Sequence, residues 1–203
     1  MKSLLARIMK LSQPSRIDFE IYSDKMAESG RRVIRRAYEQ ARSRGHNQMG
    51  PEHVLFAISE IEQHMFDGVM RGLRLDPQAI KMMLESSMSQ EDNFESGIKE
   101  SESLRRLFAN SLKQAKGEGR SLIESIDLFE GVFVDAENIP SEMIKRLGAD
   151  GQRAMREIES LKKEGRKLTK DRGIGIRRQP NKGMHRSCRS ELHNYGQYRP
   201  AAR

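Results

Sequence analysis

Arg31-Arg32-Val33-Ile34 returns 74 residues later as Arg105-Arg106-Leu107-Phe108, and Gln40-Ala41-Arg42 returns at the same offset as Gln114-Ala115-Lys116. Gly45 is matched by Gly119, Val54-Leu55 by Leu128-Phe129, Leu73 by Leu147 and Asp76 by Asp150, with no gap between the first match and the last. A constant offset across several helical patterns implies two copies of one supersecondary unit, related most simply by a pseudo-two-fold axis. Each copy alone buries too little apolar surface to be stable, so the pair is expected to form one domain. Such a pair makes a compact binding platform rather than a catalytic fold.

The segment Asp24 to Arg44 places Met26, Val33, Ile34, Ala37, Tyr38 and Ala41 on one helical face, and Gly45 ends it. Gly50-Pro51 starts a second helix, because proline suits a first helical position; it carries Val54, Leu55, Ile58 and Ile61. A third holds Met65, Phe66, Val69, Met70 and Leu73, and Asp76-Pro77, a capping carboxylate followed by proline, opens a fourth. The second copy repeats the scheme. Leu104, Leu107, Phe108, Leu112 and Ala115 form its first stripe, broken by Gly117 and Gly119. Ser125 caps a helix bearing Leu128, Phe129, Val132 and Phe133; Pro140-Ser141 opens another; Asp150 caps a last one through Ala154, Ile158 and Leu161. The polar, acidic stretch Ser86 to Ser101 reads as a linker. No strand-like alternation of useful length occurs. The expectation is an all-α fold of eight helices in two tandem four-helix pseudo-repeats, 24–88 and 98–162, within a domain of residues 23–163. An extension, 1–22, precedes it. A basic C-terminal tail, 164–203, rich in Gly, Arg, Ser, Asn and Gln, is expected to be disordered.

Charge is unevenly placed along the 203 residues. Residues 1–160 carry 24 Lys+Arg against 26 Asp+Glu, whereas residues 161–203 carry 13 against 3. The overall charge of +8 therefore belongs to the tail, and the body presents no basic DNA-binding surface of its own. A single cysteine, Cys188, excludes an intramolecular disulfide and fits a reducing compartment. Leu4, Leu5, Ile8 and Leu11 recur at helical spacing, but Arg7 and Lys10 interrupt them, which excludes a signal peptide's apolar core or a membrane span. The absence of acids before Asp18 also fits an organellar transit peptide; a short amphipathic helix is the simpler reading, and the expected location is cytoplasmic.

Gly45-His46-Asn47-Gln48-Met49-Gly50-Pro51-Glu52-His53-Val54-Leu55 resembles the "GHN–x–x–G–T–E–H–hydrophobic" signature of the Clp amino-terminal (Clp R) repeat, which occurs in tandem at the front of Clp/Hsp100 unfoldases. Gly30 to Ile34 and Glu39 to Arg42 are similar to the family's first helix, and Arg71-Gly72-Leu73-Arg74-Leu75-Asp76 to its "A–L–G–V–D" step into the fourth. Copy two reads Gly119-Arg120-Ser121-Leu122-Ile123-Glu124-Ser125-Ile126-Asp127 and is degenerate. The resemblance implies a substrate- and adaptor-docking module, here free-standing: the sequence holds no G-x-x-x-x-G-K-[ST] stretch and is too short for the AAA+ ATPase domains. Some family members recognise phosphorylated arginine through the Thr-Glu of the signature. A carboxylate there pairs with the guanidinium, and helix-start amides draw the phosphate. The matching pairs are Pro51-Glu52, which keeps the carboxylate without the hydroxyl, and Ser125-Ile126, which keeps a hydroxyl without the carboxylate. With His53 these are the candidate partner-binding residues. In a first helical turn, Glu52 is also simply favourable to the helix dipole.

No catalytic residue, cofactor or metal site is expected. His46, His53 and His64 lack the compact four-ligand spacing of structural zinc, and His185, Cys188 and His193 are only fragments of a site. Nothing in the sequence positions a base beside Cys188. Methionine is abundant, with 12 residues including Met65, Met70, Met82, Met83 and Met88; it fills cores and also makes adaptable peptide-binding surfaces. A groove between the two units, lined by the second-helix faces, is the expected docking place. The expected function is that of a non-catalytic Clp-type interaction module, monomeric, acting in protein quality control. It would bind unfolded or tagged substrate proteins or adaptors, or modulate Clp ATPase and protease components. The alternative is a nucleic-acid-associated regulator, in which Arg177, Arg178, Lys182, Arg186 and Arg189, interleaved with tyrosines, contact RNA or an anionic surface.

Overall fold

A computed structural model of the chain describes residues 24–88 and 98–171. Eight helices run through these residues: α1 (Glu28–Ser43), α2 (Pro51–Ile61), α3 (Gln63–Gly72), α4 (Pro77–Ser87), α5 (Glu102–Gly117), α6 (Ser125–Val134), α7 (Ile139–Arg146) and α8 (Gly151–Asp171). The all-α, two-by-four plan is therefore the observed one. The last helix outruns its apolar stripe and continues past Lys162 to Asp171. Its final turn belongs to a second unit that starts at Lys167 and is otherwise outside the described residues. Residues 1–23, which include the whole extension, and 172–203, with Arg177, Arg178, Lys182, Arg186 and Arg189, also lie outside them.

Local chemistry sets the helix ends. Asp76 accepts from Gln78 N–H at 3.1 Å, Ser101 from Leu104 N–H at 3.1 Å and Asn138 from Ser141 N–H at 2.9 Å, each satisfying a donor that the first turn leaves open. Ser125 does not cap α6, contrary to the sequence reading. The cap is Glu124, whose N–H donates to Asp127 Oδ2 at 2.8 Å, and Ser125 is the first helical residue. Helices α1 and α5 stop at Gly45 and Gly119, with φ of 73° and 75°. Six-to-one bonds from His46 N–H to Ala41 O (2.9 Å) and Arg120 N–H to Ala115 O (2.8 Å) close these ends. The same closure ends α3 and α7, where Leu75 N–H bonds Met70 O and Ala149 N–H bonds Ile144 O. In α7 the left-handed position is Gly148 (φ 83°); in α3 it is Arg74 (φ 63°), the only non-glycine residue with positive φ among those described.

Helices α2 and α6 form the centre. Val54 to Ser59 on one and Leu128 to Phe133 on the other are buried all round, as expected of helices packed on every side. Phe129 links the copies, its ring 6.3 Å from that of Phe66 and 5.7 Å from that of Phe133. The amphipathic α1 and α5 cover this pair with Val33, Ile34, Ala37 and Ala41, and with Leu104, Leu107, Phe108 and Ala115.

A small β element, for which the sequence carries no alternation, joins the copies. Strand β1 (Gln48–Met49) pairs in parallel with β2 (Lys99–Glu100), matching Gln48 to Lys99 and Met49 to Glu100, and an isolated parallel bridge joins Met26 to Ile123. Adding 74 to Met49 gives Ile123, and to Met26 gives Glu100, so the second bridge is the pseudo-symmetric image of the first. Ser101 N–H donates to Met49 O at 3.0 Å, and its image Ala27 N–H donates to Ile123 O at 2.8 Å. The end of the supposed linker is thus structural: Ile98 is buried and Lys99–Glu100 is paired.

Because an L-residue in the left-handed region is strained by roughly 1 kcal/mol, Arg74→Gly should stabilise the domain by about that amount. Gly148→Ala should destabilise it at least as much. Urea unfolding of the two variants checks both signs, and equal effects would remove the strain argument.

Candidate functional site

The residues that follow α1 and α5 and lead into α2 and α6 are equivalent by the 74-residue offset, yet they are built from different chemistry. In copy two, Arg120 grips Asp127 with both guanidinium nitrogens at 2.5 and 2.6 Å and reaches Glu118 at 3.1 Å. Lys162, descending from α8 and only 7% exposed, donates to Glu118 at 2.9 Å and to Glu130. Hydrogen bonding to Asp127 drives the Arg120 pKa well above its ordinary value. Burial pushes Glu118 upward, but hydrogen bonds from Lys162 and Arg120 outweigh it and hold the carboxyl below its usual range. Burial likewise lowers Lys162, and the bonds to Glu130 and Glu118 more than restore it.

In copy one the same positions hold Arg44 for Glu118, His46 for Arg120, His53 for Asp127, Phe56 for Glu130 and Met88 for Lys162. His53, 2% exposed, takes over the capping role of Asp127: Gly50 N–H donates to its Nδ1 at 3.1 Å. That bond makes Nδ1 the acceptor, so Nε2 carries the hydrogen and donates to His46 Nδ1 at 2.7 Å. Glu52 Oε1 lies 2.9 Å from the same Nδ1. Arg44 closes the far side by donating to Met88 O at 3.0 Å, with its guanidinium 5.8 Å from the Phe56 ring centre. A polar cavity of about 370 Å³ opens here, lined by His46, Asn47, Gln48, Glu52, His53 and Met88 among others.

Of the candidate residues, Glu52 and His53 therefore share one cavity with His46, and Pro51 is buried at the first position of α2. Ser125 does not line this cavity; it is buried, and its N–H donates to Ser29 Oγ at 3.2 Å. His64 is exposed on α3. Among the described residues no cluster of three or more His, Cys, Asp or Glu side chains is disposed to hold a metal ion, and no helix is long and apolar enough to cross a membrane. His185, Cys188 and His193 lie outside the described residues.

The apolar groove lies between the two copies, as expected, but the second helices do not line it. The second helices are sealed in the core, and the open seam runs between α4 and α7. It encloses about 710 Å³ and is lined by Ala79, Met82, Met83, Ile139, Met143 and Arg146 with neighbouring polar residues. Met82 is 66% exposed and Ile139 47%. The pseudo-symmetric seam, between α3 and α8, is closed. A Cβ at Gly68 would sit 3.6 Å from the Leu161 side chain, and one at Gly72 would run into the Glu157 carboxylate. The counterparts of Gly68 and Gly72 in the open seam are Glu142 and Arg146, paired with each other at 3.7 Å. Where glycines let α8 side chains lie down on α3, the equivalent positions of α7 carry long charged side chains that line an open groove beside α4. The sequence held this signal in the offset pairs Gly68/Glu142 and Gly72/Arg146, which the repeat reading had not compared.

The pH dependence of stability follows from the copy-two network. Glu118 has a lowered folded value, so its contribution is present above the ordinary carboxylate range and is lost as pH falls through the folded value. Lys162 has a raised folded value, so its contribution is present below the ordinary lysine range and is lost as pH rises through the folded value. Lys162→Met, which installs the copy-one residue, leaves the buried Glu130 carboxylate without its cation while Glu118 keeps Arg120, and should destabilise the domain by roughly 3 kcal/mol at neutral pH. Unfolding free energies measured from pH 3 to 8 should show the variant's deficit shrinking toward acid; a pH-independent deficit would contradict the charge argument.

The known proteins most informative for this fold share its arrangement. The chaperone protein ClpC1 of Arabidopsis thaliana chloroplasts is 23% identical over 162 residues, which are 79% of this chain and 17% of that protein. The negative regulator of genetic competence ClpC/MecB of Bacillus subtilis (strain 168) is 20% identical over 137 residues, 68% of this chain and 17% of that protein. The chain thus spans 17% of the length of these relatives. Among solved structures, the Hsp104 N-terminal domain from Candida albicans matches with a TM-score of 0.60 at 13% identity, covering 68% of this chain and 91% of that one. The N-domain of ClpV from Vibrio cholerae matches with a TM-score of 0.58 at 18% identity, covering 79% and 94%. At such identities the structural likeness speaks for the fold. The sequence evidence is separate: the model of the Clp repeat (R) N-terminal domain matches residues 25–145, from just before α1 almost to the end of α7, and the chain belongs to that family.

Proposed function

We propose that this domain is a non-catalytic protein-interaction module that binds unfolded or tagged proteins, or adaptors, in a Clp-type quality-control system, and that the α4/α7 seam is its docking surface. The observation that carries this reading is the asymmetry between two equivalent seams. One is closed by Leu161 and Glu157 over glycines; the other is open and methionine-lined, with Glu142 and Arg146 in place of the glycines. Unbranched methionines re-pack against different apolar side chains, which suits a surface that must accept many sequences. The exposed Met82 and Ile139 give an occupying segment apolar area that the folded domain itself does not cover. The polar cavity at Glu52 and His53 offers a carboxylate to a positively charged side chain of the same partner, as a subsidiary contact.

The test is binding of a fluorescein-labelled, permanently unfolded protein (reduced, carboxymethylated α-lactalbumin), followed by fluorescence anisotropy. Met82→Glu places a charge in the apolar seam at an already exposed position. It should weaken binding by about tenfold or more while leaving the melting temperature unchanged. Glu52→Gln should change affinity by no more than about threefold, as expected of a single peripheral charge contact. Removing residues 172–203 should leave binding intact at physiological salt. If that truncation abolishes binding while Met82→Glu does not, the function resides in the basic tail and the groove reading fails.

A further inference from the structure

The α4/α7 seam concentrates its methionines where an oxidant can reach them. Nine methionines fall within the described residues. Met26, Met49, Met70 and Met88 are at most 2% exposed, Met65 and Met155 are partly buried against the core, and Met143 is 7% exposed. Met82 alone is open, at 66%, and it shares the wall of one groove with Met83 and Met143. Its side chain is therefore the described thioether that solvent-borne peroxide meets first.

We infer that Met82 is an oxidation site, and that its conversion to methionine sulfoxide by hydrogen peroxide switches off the groove without unfolding the domain. The inference rests on the reading of this seam as the docking surface. The thioether sulfur attacks one peroxide oxygen and the O–O bond breaks. The transferred oxygen remains on sulfur as the sulfoxide, and the other leaves as water once it has collected the transferred hydroxyl's proton. Sulfur is oxidised by two electrons and peroxide is reduced by two.

The physical consequence is local. The free domain tolerates the S=O group, because an exposed Met82 keeps it hydrated. An apolar segment seated in the groove would cover that oxygen and strip its water without supplying a donor, so only the bound state is penalised. The core methionines, sealed at Met49, Met70 and Met88 among others, remain thioethers, so packing survives doses that modify the groove. The chemistry is reversible by methionine sulfoxide reductases, which makes the change a switch rather than simple damage.

The experiment treats full-length protein with graded hydrogen peroxide, maps sulfoxide by peptide mass spectrometry, and measures binding of the labelled carboxymethylated α-lactalbumin at each dose. Met82 should be the first modified of the described methionines. Affinity should fall by about tenfold as its sulfoxide fraction approaches one. Far-UV circular dichroism and melting should not change, and sulfoxide reductases A and B should restore binding. In the Met82→Leu, Met83→Leu variant, the affinity measured before peroxide, whatever its value, should be the same after it. Modification of Met65 or Met155 ahead of Met82, or an affinity unchanged when Met82 is fully oxidised, overturns the inference. Failure of the untreated protein to bind the probe overturns the docking-surface reading and the switch with it. The sulfoxide map separates the two cases, because the order of modification stands or falls without any probe.

Discussion

A reciprocal backbone clasp governs the architecture. The residues ahead of α1 pair with the residues ahead of α6, and the residues ahead of α5 pair with those ahead of α2. Each such bond contributes only about 1 kcal/mol net, but leaving its donor buried and unpaired would cost more, so the pairs fix register even where they add little stability. Once Met49 faces Glu100 and Ile123 faces Met26, neither repeat can fold around itself. The entry segment of each is held by the other, α2 and α6 are brought together, and the seams α3/α8 and α7/α4 become equivalent places in one pseudo-symmetric body. Gly30 belongs to the same constraint, since a Cβ there would come within 2.7 Å of Ile123 O.

On this symmetric frame the two junctions settle the same geometric problem by opposite means. Asp127 and His53 both accept the N–H three residues earlier, at the cap of α6 and of α2, so the capping geometry is common. Everything around them differs. Copy two surrounds its acceptor with charges, and such a network gains stability only when every member is paired, which Lys162 accomplishes from α8. Copy one replaces the lysine by Met88 and the arginine by a second imidazole, and Arg44 reaches the Met88 carbonyl from outside. The copy-one arrangement has no lysine from another helix, and it leaves a polar cavity in place of a filled ionic cluster.

Much of this was legible in the residues. The 74-residue offset and the turn glycines gave the eight helices, and the Gly45–Leu55 signature pointed to the family that the match over residues 25–145 establishes. The clasp was not legible: a two-residue strand has no period, and its partner lies some 50 positions away in a polar stretch read as linker. Ser125 was misread as a cap because serine is the commoner N-cap residue, whereas here the acceptor is an aspartate three positions inside the helix. The overrun of α8 to Asp171 has the same character: an apolar stripe reports packing and does not mark where backbone hydrogen bonding stops. The lining of the groove was misread for a deeper reason. Periodicity says which faces are apolar but not which of them touch: Gly68 and Gly72 admit Leu161 and Glu157 in one seam, and the other, with Glu142 and Arg146 at those positions, stays open.

That difference bears on how a duplicated domain can act as one binding unit. A resemblance read repeat by repeat implies a site in each copy, built from the first residues of α2 and α6. The proposed docking surface divides differently: α4 comes from copy one and α7 from copy two, so the open seam is a property of the pair and exists in neither repeat alone. Symmetry supplies two such seams, and the closing of α3 against α8 removes one of them. Of the two, the seam between α4 and α7 stays open, and its walls come from repeats that the clasp joins. Loosening the clasp should therefore damage binding as well as stability, even though no clasp residue lines the groove.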